Sequence, residues 1–125
     1  MKKVISTKDA PAAIGPYSQA VQAGNILFLS GQLGIDPHSG LFISEDVREQ
    51  TIQVFKNIQA ILEEAGFGME DVVKTTVFLA DMAFFAEMNE VYASFFSGTF
   101  PARSAVAVKT LPKNGLVEIE VVAVK

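Results

Sequence analysis

The chain holds two arginines, Arg48 and Arg103, a single histidine, His38, and no cysteine. Without cysteine there is no thiolate nucleophile, no disulfide framework and no zinc–sulfur site. One histidine excludes a His-rich metal site and a two-histidine acid/base pair. His38 lies in the turn cluster Asp36-Pro-His-Ser-Gly40 and reads as a surface turn residue. No GxGxxG, Walker or GxSxG motif is present, and no metal-ligand spacing occurs. What remains is chemistry run by a cation and a carboxylate.

Arg103 follows Phe100-Pro-Ala102 and leads into the apolar run Ser104-Ala-Val-Ala-Val108. A guanidinium at the mouth of a buried strand has to be paired, because an unpaired buried charge is costly. Its planar fork fits a carboxylate or a phosphate. The partner is either a protein carboxylate or a ligand, and position alone leaves both open. Arg48 sits in the first turns of a helix, where a solvated salt bridge is expected.

The terminal run Val117–Val124 supplies the carboxylates. Side chains alternate across a strand. Val117, Ile119, Val121 and Ala123 share one face, and Glu118, Glu120, Val122 and Val124 the other. Two glutamates followed by two valines describe a face that passes from wet to buried. Glu118 and Glu120 then mark either an exposed edge or a partly desolvated acid able to take and return a proton near neutral pH. Tyr17 beside Pro16, Ser30 with Gly31 at a strand end, and Asn89 among apolar helix neighbours are further candidates. Each also has a plain packing, turn or surface reading.

These residues need elements to position them. Gly24-Asn25 reads as a turn between strands over Tyr17–Ala23 and Ile26–Ser30. A helix is expected from about Glu45 to Ala65, capped by Ser44 and stopped by Gly66. Its apolar face carries Val47, Val54, Phe55, Ile58, Ile61, Leu62 and Ala65. Val72–Leu79 reads as a strand, and Asp81 caps a second helix over Met82–Ser97 that Gly98 ends. That helix presents Phe84, Met88, Val91, Tyr92 and Phe95. Ser104–Val108 and Val117–Val124 close the chain as strands. The order is β-β-(β)-α-β-α-β-β, an α+β single domain over residues 1–125 with two helices on one face of a mixed sheet.

Composition bears on partners. The chain has 125 residues, 50% hydrophobic and 19% charged, with a net charge of −4. Soluble domains average about 25% charged residues. No Lys/Arg run exceeds Lys2-Lys3, so the footprint of a nucleic-acid binder is missing. Ala10 to Ile35 carries no charge but is broken by Pro11, Pro16 and four glycines. It reads as a strand pair buried in a core or against another subunit, not as a membrane span. Val4-Ile5 alone makes no signal-peptide core, so a soluble cytoplasmic protein is expected. One uncovered, apolar sheet face points to an oligomer.

Several ordered motifs resemble the RidA/YjgF family of reactive-intermediate (enamine/imine) deaminases over essentially the whole chain. They are Ala10-Pro-Ala-Ala-Ile-Gly-Pro-Tyr-Ser18, Leu29-Ser-Gly-Gln32, Val73-Lys-Thr-Thr-Val-Phe78, Met88-Asn89 with Tyr92, Phe100-Pro-Ala-Arg-Ser104 and Val117-Glu-Ile-Glu120. The resemblance implies a chorismate-mutase-like fold, a homotrimer with clefts between subunits, and cofactor-free hydrolysis of 2-imino acids to 2-keto acids and ammonia. It implies that Arg103 clamps the substrate carboxylate and that Glu118 activates water and shuttles a proton. Tyr17 would line the pocket from the neighbouring subunit. Ser30 and the Gly31 backbone would hold substrate, and Asn89 would contribute at the rim. Many members carry a cysteine where this chain has Ala105. That position would then serve through its backbone, without thiol regulation. Phe84 stands where relatives often have a polar residue. The rival functions are a non-catalytic small-anion sensor using the same cleft, an RNA-binding or endoribonuclease protein, which the net charge opposes, and chorismate mutase activity by analogy of fold.

Overall fold

A computed structural model describes residues 2–125. The strands are β1 (Lys2–Ile5), β2 (Ala20–Ala23), β3 (Ile26–Leu33), β4 (Val72–Leu79), β5 (Ala102–Ala107) and β6 (Val117–Val124). Helix α1 (Val47–Glu64) lies between β3 and β4 in the chain, and α2 (Phe85–Ser94) between β4 and β5. The strands form one six-stranded sheet in the order β1-β2-β3-β6-β4-β5. Among the described residues, only β4 and β5 pair in parallel, across the α2 crossover. The α+β sheet with two helices is the one the sequence pattern implies.

Local chemistry sets the ends of α1. Asp46, not Ser44, is the N-cap: its carboxylate accepts from Glu49 N at 3.0 Å. Ser44 acts one step earlier, its hydroxyl accepting from Asp46 N at 3.1 Å. Gly66, at φ +80°, ends the helix in a left-handed turn. There Phe67 N donates to Leu62 O and Gly66 N to Glu63 O.

The buried face of α1 includes Val54, Phe55, Ile58, Ile61 and Leu62, together with Gln50, Thr51 and Asn57. Hydrophobic spacing does not reveal those three polar residues. Asn57 donates to Leu33 O at 3.1 Å and to Ile35 O at 3.0 Å, where β3 runs out. Gln50 accepts from Leu116 N at 3.0 Å and donates to Ser44 O at 2.9 Å. Each satisfies backbone groups that a buried loop would otherwise leave unpaired.

The second helix is shorter than expected. A 3-10 turn over Met82–Phe84 precedes it, with Asp81 accepting from Ala83 N at 2.8 Å. The helix stops at Ser94, not Ser97, so Gly98 does not end it. Phe95 and Phe96 leave the helix to pack on Phe55, with ring centroids at 4.7 and 5.8 Å. Arg48 joins the helices at the surface, paired with Glu87 and Glu90 of α2.

Several strand boundaries also differ, and the strand expected over Ser104–Val108 runs over Ala102–Ala107, taking Arg103 into β5. Tyr17–Gln19 is irregular, because Gln19 turns inward and bonds Thr7, Ala10 and Pro11. The uncharged run is therefore a pinned loop followed by strands, with Ile14 open to solvent. β3 continues past Ser30 through Gly31 to Leu33, shifting register against β6 between Leu29 and Gln32. β1 is a short edge strand whose lysines mask it in the sequence.

Alternation splits the sheet. Val117, Ile119, Val121 and Ala123 are buried on the side carrying the helices. The opposite face carries an apolar row of directly opposed residues, Val4, Val21, Phe28 and Val122. Val4 and Phe28 are 58% and 47% exposed. Among the described residues, no helix is long and apolar enough to cross a membrane.

Asn57→Leu removes the amide donor to the Leu33 and Ile35 carbonyls. It should cost about 2–4 kcal/mol, read as a lower urea midpoint at fixed protein concentration. A loss under about 0.5 kcal/mol would show that the α1–β3 junction does not depend on this amide.

Candidate active site

Arg103 lies on the edge strand β5, directly across from Thr75 of β4. It is exposed rather than at a buried strand mouth. Among the described residues no carboxylate pairs with it, so the internal ion pair is not formed. Its guanidinium instead lies against α2. Nη1 donates to Asn89 Oδ1 at 2.6 Å, and the guanidinium carbon sits 4.7 Å from the Tyr92 ring centroid and 5.3 Å from that of Phe85. Asn89, Tyr92, Ala93, Phe100, Pro101 and Arg103 line a cleft of about 420 Å³. Ala105, two residues on, faces the same side, pairs with Val77 and packs against the core.

Tyr92 and Phe85 are the residues that sequence reasoning missed here. Their signal was present in the spacing of Phe85, Asn89 and Tyr92, which sets all three on one helix face. The Tyr92 hydroxyl shares a buried 2.7 Å hydrogen bond with Thr75 Oγ1. Burial pushes its pKa up, against the Thr75 bond and the Arg103 charge, so it stays protonated at neutral pH.

Glu118 lies elsewhere. It opposes Leu33 of β3 and Phe78 of β4, on the face away from the helices. It is half-buried, and burial first and the Glu120 carboxylate second push its pKa above the ordinary value. Glu120 itself is exposed. The bulge in β3 brings Gly31 against Glu118: a Cβ there would lie 2.7 Å from Glu118 Oε2. A side chain there would displace the Glu118 carboxylate from this position. Gly31 and Tyr17 line one pocket of about 610 Å³ with Ile14, Gln32, Leu33 and His38. Ser30 binds the adjoining loop, its hydroxyl donating to Ser18 O at 2.6 Å.

The candidates therefore fall into two groups. Gly31 lies against Glu118 and shares a pocket with Tyr17, Ser30 precedes it on β3, and Asn89 and Ala105 lie on the Arg103 side of the sheet. Thr75 and Phe78 are three residues apart on β4, so their strand neighbours Arg103 and Glu118 project from opposite faces. His38 stays an exposed turn residue at the pocket mouth, its N donating to Asp36 Oδ1 at 3.2 Å. Among the described residues, no three His, Asp or Glu side chains converge as a metal site would need.

The chain matches the family model described as Endoribonuclease L-PSP over residues 7–125. It belongs to the RidA/YjgF family. A RutC family protein of Pyrococcus horikoshii is 56% identical over 125 residues, covering 100% of this chain and 99% of that relative. The mouse protein named 2-iminobutanoate/2-iminopropanoate deaminase is 51% identical over 125 residues, covering 100% of this chain and 93% of that relative. A solved Rid-family protein of unknown function, YyfA from Yersinia pestis, superposes with a TM-score of 0.97 at 50% identity and covers 100% of both chains. The sheet and helices described above are thus those of solved Rid-family relatives.

In this RidA-family chain the raised Glu118 pKa has a sign that can be tested. A carboxyl whose folded pKa is raised favours the native state below the unfolded pKa and loses that contribution as pH rises through the folded value. Glu118→Gln removes the cost of the buried charge. The variant should melt above the native protein at pH 7, with the advantage vanishing below about pH 4. Thermal unfolding at both pH values checks this, and a variant less stable at pH 7 would contradict the desolvated carboxylate.

Proposed function

We propose that this chain hydrolyses 2-imino acids, in exchange with their enamines, to 2-keto acids and ammonia. The observation that carries the reading is Arg103, an exposed guanidinium in a cleft with no carboxylate partner among the described residues. The naming of the mouse relative as a deaminase supports it. The substrate carboxylate takes the Arg103 fork. The carboxylate of Glu118 accepts a proton as water adds to the C=N carbon of the protonated imine, giving a neutral carbinolamine. The protonated carboxyl then returns that proton to the amine nitrogen, and as the C–N bond breaks the carbinolamine hydroxyl gives its proton back to the Glu118 carboxylate, releasing ammonia and leaving the C=O. A pKa raised toward neutrality suits Glu118 to both transfers. Tyr17, Ser30, Gly31, Asn89 and the Ala105 backbone complete the walls.

A homotrimer of chorismate-mutase-like protomers fits this chemistry. Arg103 of one copy would meet Glu118, Tyr17 and Gly31 of the next, and the open apolar face around Phe28 and Val122 would be covered between copies. Light scattering should then give about 40 kDa, three times the 13.5 kDa chain. A 13.5 kDa particle at micromolar concentration would contradict assembly.

The reaction itself is tested with 2-iminobutanoate generated in situ. The protein should speed its loss. Arg103→Ala should raise KM about 10- to 100-fold, and Glu118→Gln should lower kcat about 10²- to 10⁴-fold. Binding of 2-oxobutanoate without turnover of the imine would turn the same cleft into an anion sensor. Full activity in Arg103→Ala would remove the carboxylate clamp.

A further inference from the structure

Arg103 is held on more sides than an exposed arginine usually is. Phe85, Asn89 and Tyr92 form one stripe of α2, and all three touch its guanidinium. The guanidinium carbon lies over the two rings, and Asn89 accepts from Nη1. No other hydrogen bond to the guanidinium occurs among the described residues, so its outer N–H edge keeps free donors.

The seat is itself anchored. The Tyr92 hydroxyl bonds Thr75 Oγ1 at 2.7 Å, and Thr75 is the direct strand neighbour of Arg103. The Tyr92 ring meets Phe55 at 5.6 Å and Phe96 at 5.0 Å. Thr75, Tyr92 and Arg103 thus close a loop of contacts between β4, α2 and β5. Every member of the seat is neutral, so the arginine charge is left for a ligand. A carboxylate would have spent much of that charge.

We propose that Phe85 and Tyr92 are positioning residues that hold Arg103 as a preset clamp for a carboxylate. This rests on the reading of Arg103 as the contact for the substrate carboxylate. A free arginine samples many rotamers, and ordering it on binding weakens affinity. Here folding does the ordering, and the bound ligand meets a fork already aimed.

Nitrogen-15 relaxation of the arginine Nε–H groups tests this in the intact protein. The chain has only two arginines, so Arg48→Lys assigns the Arg103 signal. The native Arg103 order parameter should exceed about 0.8 and should fall below about 0.6 in Phe85→Leu. In the same variant KM for 2-iminobutanoate should rise about two- to fivefold, with kcat changed less than about twofold. Phe85→Tyr, which restores a ring face, should recover both. A mobile Arg103 in the native protein, or one unchanged by Phe85→Leu, overturns the positioning role. An ordered Arg103 that Phe85→Leu loosens, in a protein that hydrolyses no imine, sustains the seat and removes the deaminase reading.

Discussion

Side chains alternate across a β-strand, and that alternation keeps the cation and the acid of this protein apart. Arg103 sits beside Thr75 and Glu118 beside Phe78, so one points toward the helices and the other away. Two strand spacings, roughly 10 Å, also separate them. A small imino acid held by Arg103 cannot touch Glu118 of the same chain. In the proposed assembly a second copy would reconcile the two, and the apolar open face is the surface it would cover. Assembly and chemistry would then share one cause, the placement of β6 between β3 and β4.

The interior spends few polar groups, and those it has are satisfied. Among the described residues, no buried side-chain nitrogen or oxygen lacks a partner. Asn57, Gln50 and Gln19 hold loops to the sheet through backbone groups. Glu118 breaks the pattern. It is half-buried beside Gly31, the Glu120 carboxylate adds to the cost of its charge, and no cation pairs with it among the described residues. Such a placement costs stability, and it is where proton-transfer groups are found.

Much of this was legible in the sequence. The β6 pattern gave both its buried face and the odd position of Glu118, and the spacing of α1 gave its core stripe. The family motifs marked Arg103, Gly31 and Tyr17. Other features depend on tertiary contact. Gln19, Gln50 and Asn57 look like surface amides until the loops they bind are in place. The β3 bulge follows from pairing with β6 and has no local signal. The end of α2 is set by Phe95 and Phe96 reaching Phe55, against the expectation that Gly98 would end it. Grouping Gly31 with Glu118 and Arg103 with Asn89 required the tertiary fold.

Mixing two impaired variants, assayed with imine well below KM, tests the central claim directly. Arg103→Ala and Glu118→Gln are unfolded together at equal concentration and refolded, with mass spectrometry confirming mixed assemblies. If each site takes Arg103 from one copy and Glu118 from the next, about a quarter of sites regain both residues. Imine hydrolysis should then return to about a quarter of the native rate. Mixed assemblies no faster than the average of the two parents would contradict a site shared between copies.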